Sequence, residues 1–446
     1  MIPHSNLQLI SARWIIPVEP RATVLEHHSI AIANGRIEAI LPTLDAKKRY
    51  ANAAETVLAT HVLIPGLINL HTHAAMTLMR GLADDKPLMI WLNDHVWPAE
   101  LKNLSAEYVY DGTELATAEM IRSGTTCFAD MYFYHDVAAR AALKSGMRAA
   151  VSGAILEFAT PYAADTEAYL ARATATREEF LDQPRLKLML APHAPYSVGD
   201  QTIERIITIA SEMDVQIMMH IHETDFEVID GTKQHGMRPI ERLHRLGLLG
   251  PNLIAVHCVH TNQTEIELFA STGVHVAHCP VSNLKLGSGI APIKAMLDAG
   301  INVGVGTDGC ASNNRLDMLA ETRLASLLQK GISGNAAAVP AHVALEMATL
   351  NGARALGWDN EIGSLVPNKS ADMVAVDLSD IECQPCYDPA SHLFHAAARE
   401  QVTHSWVAGE LVMDNRVLTK VNIAEIKSKS EIWQQRFSSK TIQLNQ

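Results

Sequence analysis

The chain has 446 residues, of which 48% are hydrophobic, and it carries a formal net charge of −13 at pH 7. This length favours one large domain with an accessory domain, and the negative charge argues against a nucleic-acid backbone as the main partner. The sequence contains no apolar run long enough to span a bilayer, and its first residues lack the pattern of a secretory signal. We therefore expect a cytoplasmic globular protein with no nucleic-acid or membrane partner.

Short apolar or alternating runs dominate both ends of the chain. Near the beginning, Asn34-Gly35 is a hairpin turn signal between two such runs. Similar runs recur near the other end, at 371–377 and 404–413. We predict that residues 1–62 and 363–446 fold together into a small β-sandwich, followed by a helix near the C-terminus.

Between these ends, strand-like and helix-like segments alternate eight times. This order predicts a (β/α)8 TIM-type barrel over residues 63–362, with functional side chains at the carboxyl ends of its strands. A doubly wound open sheet would alternate in the same way, but no Gly-x-Gly-x-x-Gly motif follows any strand. The eight predicted strands are Val62–Leu70, Thr125–Phe133, Arg148–Leu156, Leu186–Ala191, Val215–Ile221, Leu253–Val256, Val274–Ala277 and Ile301–Val305.

Residues of metal-ligand type follow most of these strands. The first strand ends in His71 and His73, whose spacing places both rings on one face of the strand. Such residues at one end of so many strands are hard to explain as packing, because each buried polar group needs a partner. The later strands are followed by His193, His220, Glu223, His257, His278 and Asp308.

These positions predict a metal site. His71, His73 and His220 can supply three nitrogens and Asp308 an oxygen, with one position open for water. Nitrogen and oxygen ligands without a thiolate suit one zinc ion per subunit, with iron or manganese as alternatives. Glu223 is expected to be a proton shuttle that faces the substrate instead of the metal. A helix-capping or surface role is the alternative reading for Glu223.

The remaining histidines receive different interpretations. His257 is expected to position the attacking water, with help from Asp308. His222 points away from His220 by strand alternation and is predicted to be structural. The sequence leaves the roles of four further residues open: His260, His278, Cys383 and Cys386.

Five segments resemble the amidohydrolase superfamily. The chain lacks a lysine where Pro192-His193 stands, which separates it from the two-metal members and favours a one-metal deaminase. The resemblance covers the barrel and the split β-sandwich, and it implies a homo-oligomer. The segments are Pro65–His73, His220–Glu223, His257–His260, Ser282–Gly287 and Gly306–Gly309, in that order along the chain.

Within that superfamily, the chain resembles the 5′-methylthioadenosine/S-adenosylhomocysteine deaminases, through residues 71–81, 91–100 and 191–196. The resemblance implies that His193 contacts the nucleoside and that Glu100 binds the ribose hydroxyls, since a carboxylate can accept two hydrogen bonds. The indole rings of Trp91 and Trp97 are candidates for the wall of the base or thioether pocket, and ordinary packing is an equal alternative. The resemblance thus implies a nucleoside substrate.

One departure from the family pattern bears on that substrate. Relatives that accept S-adenosylhomocysteine hold its carboxylate with arginines after the third strand, where this chain has Ser152 and no arginine between residues 157 and 169. A carboxylate without a guanidinium partner loses a strong charge-assisted contact. We therefore expect 5′-methylthioadenosine as the substrate, with adenosine weaker; an arginine from elsewhere in the fold would restore S-adenosylhomocysteine.

The implied reaction is hydrolytic deamination at C6 of the adenine ring, with Glu223 protonating N1 and Asp308 accepting a proton from water. One alternative is a deaminase or chlorohydrolase of another nitrogen heterocycle, such as guanine, a pterin or an s-triazine, which would give Glu100 no ribose to bind. A second alternative is a non-catalytic nucleoside-binding homologue. The complete set of candidate ligands together with Glu223 argues against that second alternative.

Overall fold

The computed structural model describes residues 7–86 and 90–438. Contacts divide the chain into two compact units. The first unit runs up to Asn69 and adds Met120–Cys127 and Asp317–Lys420; the second comprises Leu70–Glu119, Phe128–Leu316 and the chain from Val421 onward. The domain boundaries expected from sequence, at residues 62 and 363, stay a prediction beside this grouping.

The elements alternate along the chain much as the sequence predicts. The strands are β1 (Gln8–Ile15), β2 (Leu25–Ala33), β3 (Arg36–Pro42), β4 (Ala54–Pro65), β5 (Leu67–Thr72), β6 (Thr125–Met131), β7 (Arg148–Ser152), β8 (Ala154–Ile155), β9 (Leu186–Leu188), β10 (Ala191–Pro192), β11 (Ile217–Ile221), β12 (Leu253–His257), β13 (His275–His278), β14 (Asn302–Val305), β15 (Met373–Asp377), β16 (Val402–Val407), β17 (Glu410–Asp414) and β18 (Val417–Leu418). The α-helices span Thr43–Arg49, Trp97–Asn103, Ala106–Arg122, His135–Ser145, Thr166–Glu179, Asp200–Met213, Asp225–His235, Pro239–Arg245, Gln263–Thr272, Pro280–Lys285, Ile293–Asp298, Cys310–Asn313, Met318–Ser333, Ala341–Ala348, Leu350–Ala355, Pro389–His395 and Ile423–Ser438.

Both ends of the chain contribute to one mixed eight-stranded sheet in the first unit, in the order β18-β17-β16-β15-β4-β1-β2-β3. Asn34 and Gly35 have φ values of 52° and 76°, and they form the turn between β2 and β3 as predicted. Apolar side chains from early and late strands, including Ile30, Met373 and Trp406, are buried in one core. This arrangement confirms that the chain ends build the small β-domain together.

The remaining strands form the barrel. Strands β5, β6, β7 and β9 make one four-stranded sheet, and β11 to β14 make a second, parallel one. Leu190 bridges to Ile217 between the two sheets. On the other side, the backbone N–H of Asp308 donates to the carbonyl of His71 at 2.9 Å, next to the ends of β14 and β5. The predicted (β/α)8 barrel is confirmed, and its strands end where the candidate site residues lie.

The prediction of one strand over Val62–Leu70 is wrong. The segment is interrupted at Gly66, so β4 ends in the eight-stranded sheet and β5 begins in the barrel. A Cβ atom at Gly66 would lie 2.0 Å from Oγ1 of Thr126, so this close passage requires glycine. The interruption gives β5 its own start at Leu67 and leaves His71 inside the barrel strand.

The fourth barrel strand consists of two short pieces instead of the single run Leu186–Ala191. The backbone N–H of Met189 still donates to the carbonyl of Val151 in β7, whereas the next residue, Leu190, donates to Gln216 on the other side. The chain therefore changes hydrogen-bond partners between β9 and β10. Among residues 7–86 and 90–438, no helix is both long enough and apolar enough to cross a membrane.

Candidate functional site

The four side chains predicted to bind a metal converge at the carboxyl ends of β5, β11 and β14. Nε2 of His71 lies 3.1 Å from Nε2 of His220 and 3.4 Å from Oδ1 of Asp308. Nε2 of His73 lies 3.2 Å from the same carboxylate oxygen. Ligand atoms about 2.1 Å from one tetrahedral zinc ion are separated by about 3.4 Å. The separations of His71 from His220 and Asp308, and of His73 from Asp308, therefore fit donor atoms that share one ion.

The hydrogen bonds of two imidazoles point their free nitrogens into this cluster. Nδ1 of His73 donates to the carbonyl of Met131 at 2.6 Å, and Nδ1 of His220 donates to the carbonyl of His193 at 2.9 Å. In the neutral ring, Nε2 then carries a lone pair. Burial and the neighbouring imidazoles lower the pKa of His220 well below its usual value. Lone pairs directed at a shared centre repel one another, whereas a cation bound at that centre would attract all of them.

Asp308 is held as a carboxylate by contacts on both oxygens. Oδ2 accepts hydrogen bonds from the hydroxyls of Ser282, at 2.6 Å, and Ser312, at 2.7 Å. Burial alone would raise the pKa of Asp308, but the close contacts with His71 and His73 hold it well below the usual range. The sequence analysis gave neither serine a role, although Ser282 begins a segment that resembles the family, because nothing local shows which hydroxyl meets which carboxylate.

His257 lies beside the candidate ligands and faces Glu223. Its Nδ1 donates to Oδ1 of Asn283 at 2.8 Å, and its Nε2 lies 4.0 Å from Oε2 of Glu223. A ring nitrogen of His257 is also within 4.8 Å of ligand atoms of His71 and His220. The geometry thus places His257 beside the candidate ligands and adds Asn283 as a residue that orients the ring, while the role of His257 in positioning water stays a prediction.

The turn after β11 directs Glu223 into the site. Both carboxylate oxygens of Glu227 accept backbone N–H groups, from His222 at 2.8 Å and from Glu223 at 3.0 Å. Thr224, not Glu223, caps the helix that follows, since its hydroxyl accepts the N–H of Glu227. Burial raises the pKa of Glu223 above that of an ordinary glutamate. A carboxyl that holds its proton more readily than an ordinary glutamate suits proton donation to a substrate.

The other histidines and the cysteine pair lie apart from this cluster. His222 is buried on the opposite side, where its Nδ1 is 3.7 Å from a carboxylate oxygen of Glu265. Nε2 of His260 donates to the carbonyl of Ser288 at 2.9 Å. Neither ring nitrogen of the buried His278 has a hydrogen-bond partner within the described structure. Within the same residues, Cys383 and Cys386 belong to no group that could hold a metal ion.

A cavity of about 720 Å³ opens from the cluster, within the size range of small-molecule sites. Trp91 belongs to a π-helix, Trp91–Val96, and the α-helix Trp97–Asn103 follows it directly. Single-turn π-helical segments are frequent at functional sites. The cavity is lined by every predicted substrate-binding residue: Trp91, Trp97, Glu100, His193 and Glu223.

Glu100 and His193 have defined partners in this cavity. Oε1 of Glu100 accepts a hydrogen bond from the hydroxyl of Tyr132, a contact that the sequence analysis did not foresee. Burial raises the pKa of Glu100, and the Tyr132 hydroxyl opposes that rise. Nδ1 of His193 is 3.1 Å from Oγ of Ser197, and burial lowers its pKa to about 4. His193 is therefore a neutral hydrogen-bonding group at pH 7.

Comparisons with known proteins identify relatives of this chain. Residues 62–412 match the model of the amidohydrolase family. The chain is 44% identical to the 5-methylthioadenosine/S-adenosylhomocysteine deaminase of Teredinibacter turnerae, over 97% of this chain and 98% of that one. It is 40% identical to the 5′-deoxyadenosine deaminase of Methanosarcina acetivorans, over 92% and 94% of the two chains.

A solved structure extends these similarities. The chain resembles an adenosine deaminase from Xanthomonas campestris, crystallised with bound zinc, with a TM-score of 0.94 and 45% sequence identity. The match covers 97% of this chain and 98% of that chain. The similarity therefore extends over both units of the protein.

Proposed function

Because this chain belongs to the amidohydrolase family, we propose that it hydrolyses the 6-amino group of an adenine nucleoside, with 5′-methylthioadenosine as the preferred substrate. Water and 5′-methylthioadenosine give 5′-methylthioinosine and ammonia. One observation carries the proposal: a single cavity is lined by candidate nitrogen and oxygen ligands, by a half-buried Glu223 and by a second carboxylate, Glu100. The names of the relatives in Teredinibacter and Methanosarcina support it.

His71, His73, His220 and Asp308 would hold one divalent ion. Zinc is the first choice because of the donor set and the zinc in the Xanthomonas structure, with iron or manganese as alternatives. When bound, such an ion makes a water molecule nucleophilic at neutral pH. Two features support this choice. The four candidate ligands include no thiolate, and the imidazoles direct lone pairs toward a shared centre.

The protein's own groups would then handle the protons. Glu223 donates a proton to N1 of the ring, which makes C6 more electrophilic. His257 orients the water through Nε2, while Asn283 fixes its other nitrogen. Asp308 takes a proton from the water as the C6–O bond forms. Glu223, now a carboxylate, takes the proton of the new C6 hydroxyl group and passes it to the amino group, so that the C6–N bond breaks and ammonia leaves. The proton held by Asp308 then restores Glu223 to its protonated form.

The far part of the cavity would bind the sugar and the 5′ substituent. Glu100 accepts hydrogen bonds from the ribose hydroxyls, and His193 contacts the nucleoside as a neutral donor or acceptor. The indole rings of Trp91 and Trp97 supply flat apolar surface for the base or the thioether. Together these residues explain why a nucleoside fits better than a free base.

The wall of the cavity favours an uncharged 5′ substituent. Among the described residues that line it, Arg242 is the single lysine or arginine. Its guanidinium is already engaged, by Asp200 at 2.6 Å and by the carbonyl of Pro195 at 2.8 Å. The hydroxyl of Ser152 is buried and donates to the carbonyl of Asp130. A carboxylate on the substrate would therefore find no unengaged lysine or arginine along the described wall of the cavity, whereas a methylthio group would need none.

A substrate panel tests the proposal directly. We expect the highest kcat/KM for 5′-methylthioadenosine, a lower value for adenosine, and a value at least about tenfold lower for S-adenosylhomocysteine, because one charge-assisted contact is worth about 1.5–3 kcal/mol. The ultraviolet absorbance change on deamination measures each rate. Guanine, a pterin and an s-triazine serve as the alternative substrates. Activity on one of these without activity on nucleosides would contradict the proposal.

Two properties of the whole molecule are part of the same proposal. We place the enzyme in the cytoplasm, and none of the six cysteines, all of them within the described residues, forms a disulfide, as a reducing compartment favours. We also propose a homo-oligomer, on the strength of the family resemblance. Light scattering on the purified protein would measure the mass of the assembly and compare it with 48.6 kDa for one chain.

A further inference from the structure

Tyr132 connects two segments that approach the cavity from different directions. It follows β6 directly, whereas Glu100 lies on the helix Trp97–Asn103. The Tyr132 hydroxyl donates to Oε1 of Glu100, and both residues line the cavity. Tyr132 is 3% exposed, so its phenol is a built part of the wall. Its backbone N–H also donates to the carbonyl of Ser152 at 3.0 Å, which fixes the start of the side chain.

Glu100 needs such a partner. A glutamate has several rotatable bonds, and holding it in one conformation costs side-chain entropy. Burial also disfavours its charged form, as the raised pKa of Glu100 indicates. A carboxylate has about four acceptor positions. The phenol of Tyr132 occupies one of them, which leaves enough for two neighbouring sugar hydroxyls.

Tyr132 is supported by an aromatic layer that consists of Tyr108 and Trp433. The ring of Tyr108 is buried 6.3 Å from the ring of Tyr132, and the ring of Trp433 packs 5.4 Å from Tyr108. Nε1 of Trp433 donates to Asp111 at 2.9 Å. The helix Ile423–Ser438 thereby holds the aromatic layer that fixes the phenol. A rotation of Tyr132 away from Glu100 would require this layer to rearrange.

We infer that Tyr132 is a positioning residue: it fixes Glu100 for the 2′- and 3′-hydroxyls and thereby sets the preference for ribose over 2′-deoxyribose. This inference rests on the proposed function, because it assumes that Glu100 binds the sugar. Tyr132 donates its hydrogen to the protein carboxylate. It acts on the substrate through Glu100.

The test compares the metal-loaded wild type and Tyr132→Phe on adenosine and 2′-deoxyadenosine. With adenosine, Tyr132→Phe should raise KM about tenfold, since a hydrogen bond to a charged group is worth about 1.5–3 kcal/mol, and should leave kcat within about threefold. With 2′-deoxyadenosine, KM should change much less. The ratio of the two kcat/KM values should therefore fall in the variant. Tyr134→Phe is the matched control, because Tyr134 lies two residues further along and packs on Tyr162.

A double-mutant cycle separates positioning from general destabilisation. If Tyr132 acts through Glu100, adding Tyr132→Phe to Glu100→Gln should cost little more than Glu100→Gln alone. Binding of inosine, measured by calorimetry, gives a readout without turnover. An unchanged ribose preference in Tyr132→Phe, or full additivity with Glu100→Gln, would overturn the inference. A wild type without any nucleoside deamination would instead overturn the proposed function.

Discussion

The two ends of the cavity are built in different ways. At one end, His71, His220 and Asp308 are carried by or directly follow barrel strands, and backbone pairing fixes where each side chain starts. At the other end, Trp91 lies on a π-helix and Glu100 lies on the short α-helix that follows it, and side-chain contacts fix their positions. Strand register therefore sets the side-chain positions at the first end, which we call the ligand end after the proposed metal ligands. Packing sets them at the second end, which we call the sugar end after the proposed role of Glu100. This difference predicts that substitutions at the first end abolish the reaction, whereas substitutions at the second end change the affinity for the substrate by degrees.

Two residues at the first end of the cavity have strained backbone conformations. His257 and Asp308 both have positive φ angles, 70° and 62°, although neither is a glycine. Such conformations cost of order 1–3 kcal/mol each, and here they turn the side chains toward the cluster. The barrel compensates for this strain with backbone hydrogen bonds, including the one from Asp308 to His71. Rigid scaffolding of this kind suits ligands that must meet at one point.

The largest expected effect is at the ligand end. His220→Asn should lower the bound zinc from about one ion per chain to a small fraction and should remove almost all activity, because a shared centre loses one of four donors. Elemental analysis of the purified variant measures the metal content. His244→Asn, on a helix of the second unit, is the control and should keep both. A His220→Asn variant with full metal and full activity would show that this ring is not a ligand.

At the same end of the cavity, the substitution Glu223→Gln tests the chemistry separately from metal binding. It should reduce kcat about 10²–10⁴-fold, the usual contribution of a general acid, and should keep the metal of the wild type. Glu241→Gln, which removes an exposed glutamate paired with Arg245, is the matched control and should be neutral. If Glu223→Gln turned over at the wild-type rate, the proton-shuttle role would be wrong.

The sequence was sufficient for the barrel and for the residues that gather at its strand ends. Strand periodicity and the rule that barrel sites lie at carboxyl ends place His71, His220 and Asp308 together without any coordinates. The interruption at Gly66 was missed, because a continuous apolar run gives no sign that the chain moves from one sheet to another. At Gly66 the backbone passes close to Thr126, and this tertiary contact cannot be read from the local sequence.

The sugar end was less predictable for the same reason. Family resemblance pointed to Glu100, but nothing near Tyr132 in sequence indicates that its hydroxyl meets that carboxylate. Asn283, which orients His257, and Ser312, which binds Asp308, were also missed. Each of these contacts joins side chains whose directions depend on the assembled fold. The functional roles of the site residues stay predictions until the variants are measured.

The smallest expected effect concerns the pH dependence of binding at the sugar end. Glu100 accepts sugar hydrogen bonds fully only as a carboxylate, so KM for adenosine should rise as the pH falls through its pKa. Burial raises that pKa, while the Tyr132 hydroxyl and the neighbouring His73 lower it. Removing the hydroxyl in Tyr132→Phe removes one lowering contribution, so the pKa of Glu100 should move up. The rise in KM should then begin at a higher pH in Tyr132→Phe than in the wild type.

The ratio of KM for adenosine to KM for 2′-deoxyadenosine, measured from pH 8 to pH 5, isolates this effect. Titrations at the ligand end act on both substrates and cancel in the ratio, whereas a titration of Glu100 acts more strongly on the ribose substrate. A shift of the midpoint to higher pH in Tyr132→Phe, and its absence in Tyr134→Phe, would place control of sugar binding in the Tyr132–Glu100 hydrogen bond. Superimposable ratios in all three proteins would mean that packing alone, without this hydrogen bond, sets the sugar end of the cavity.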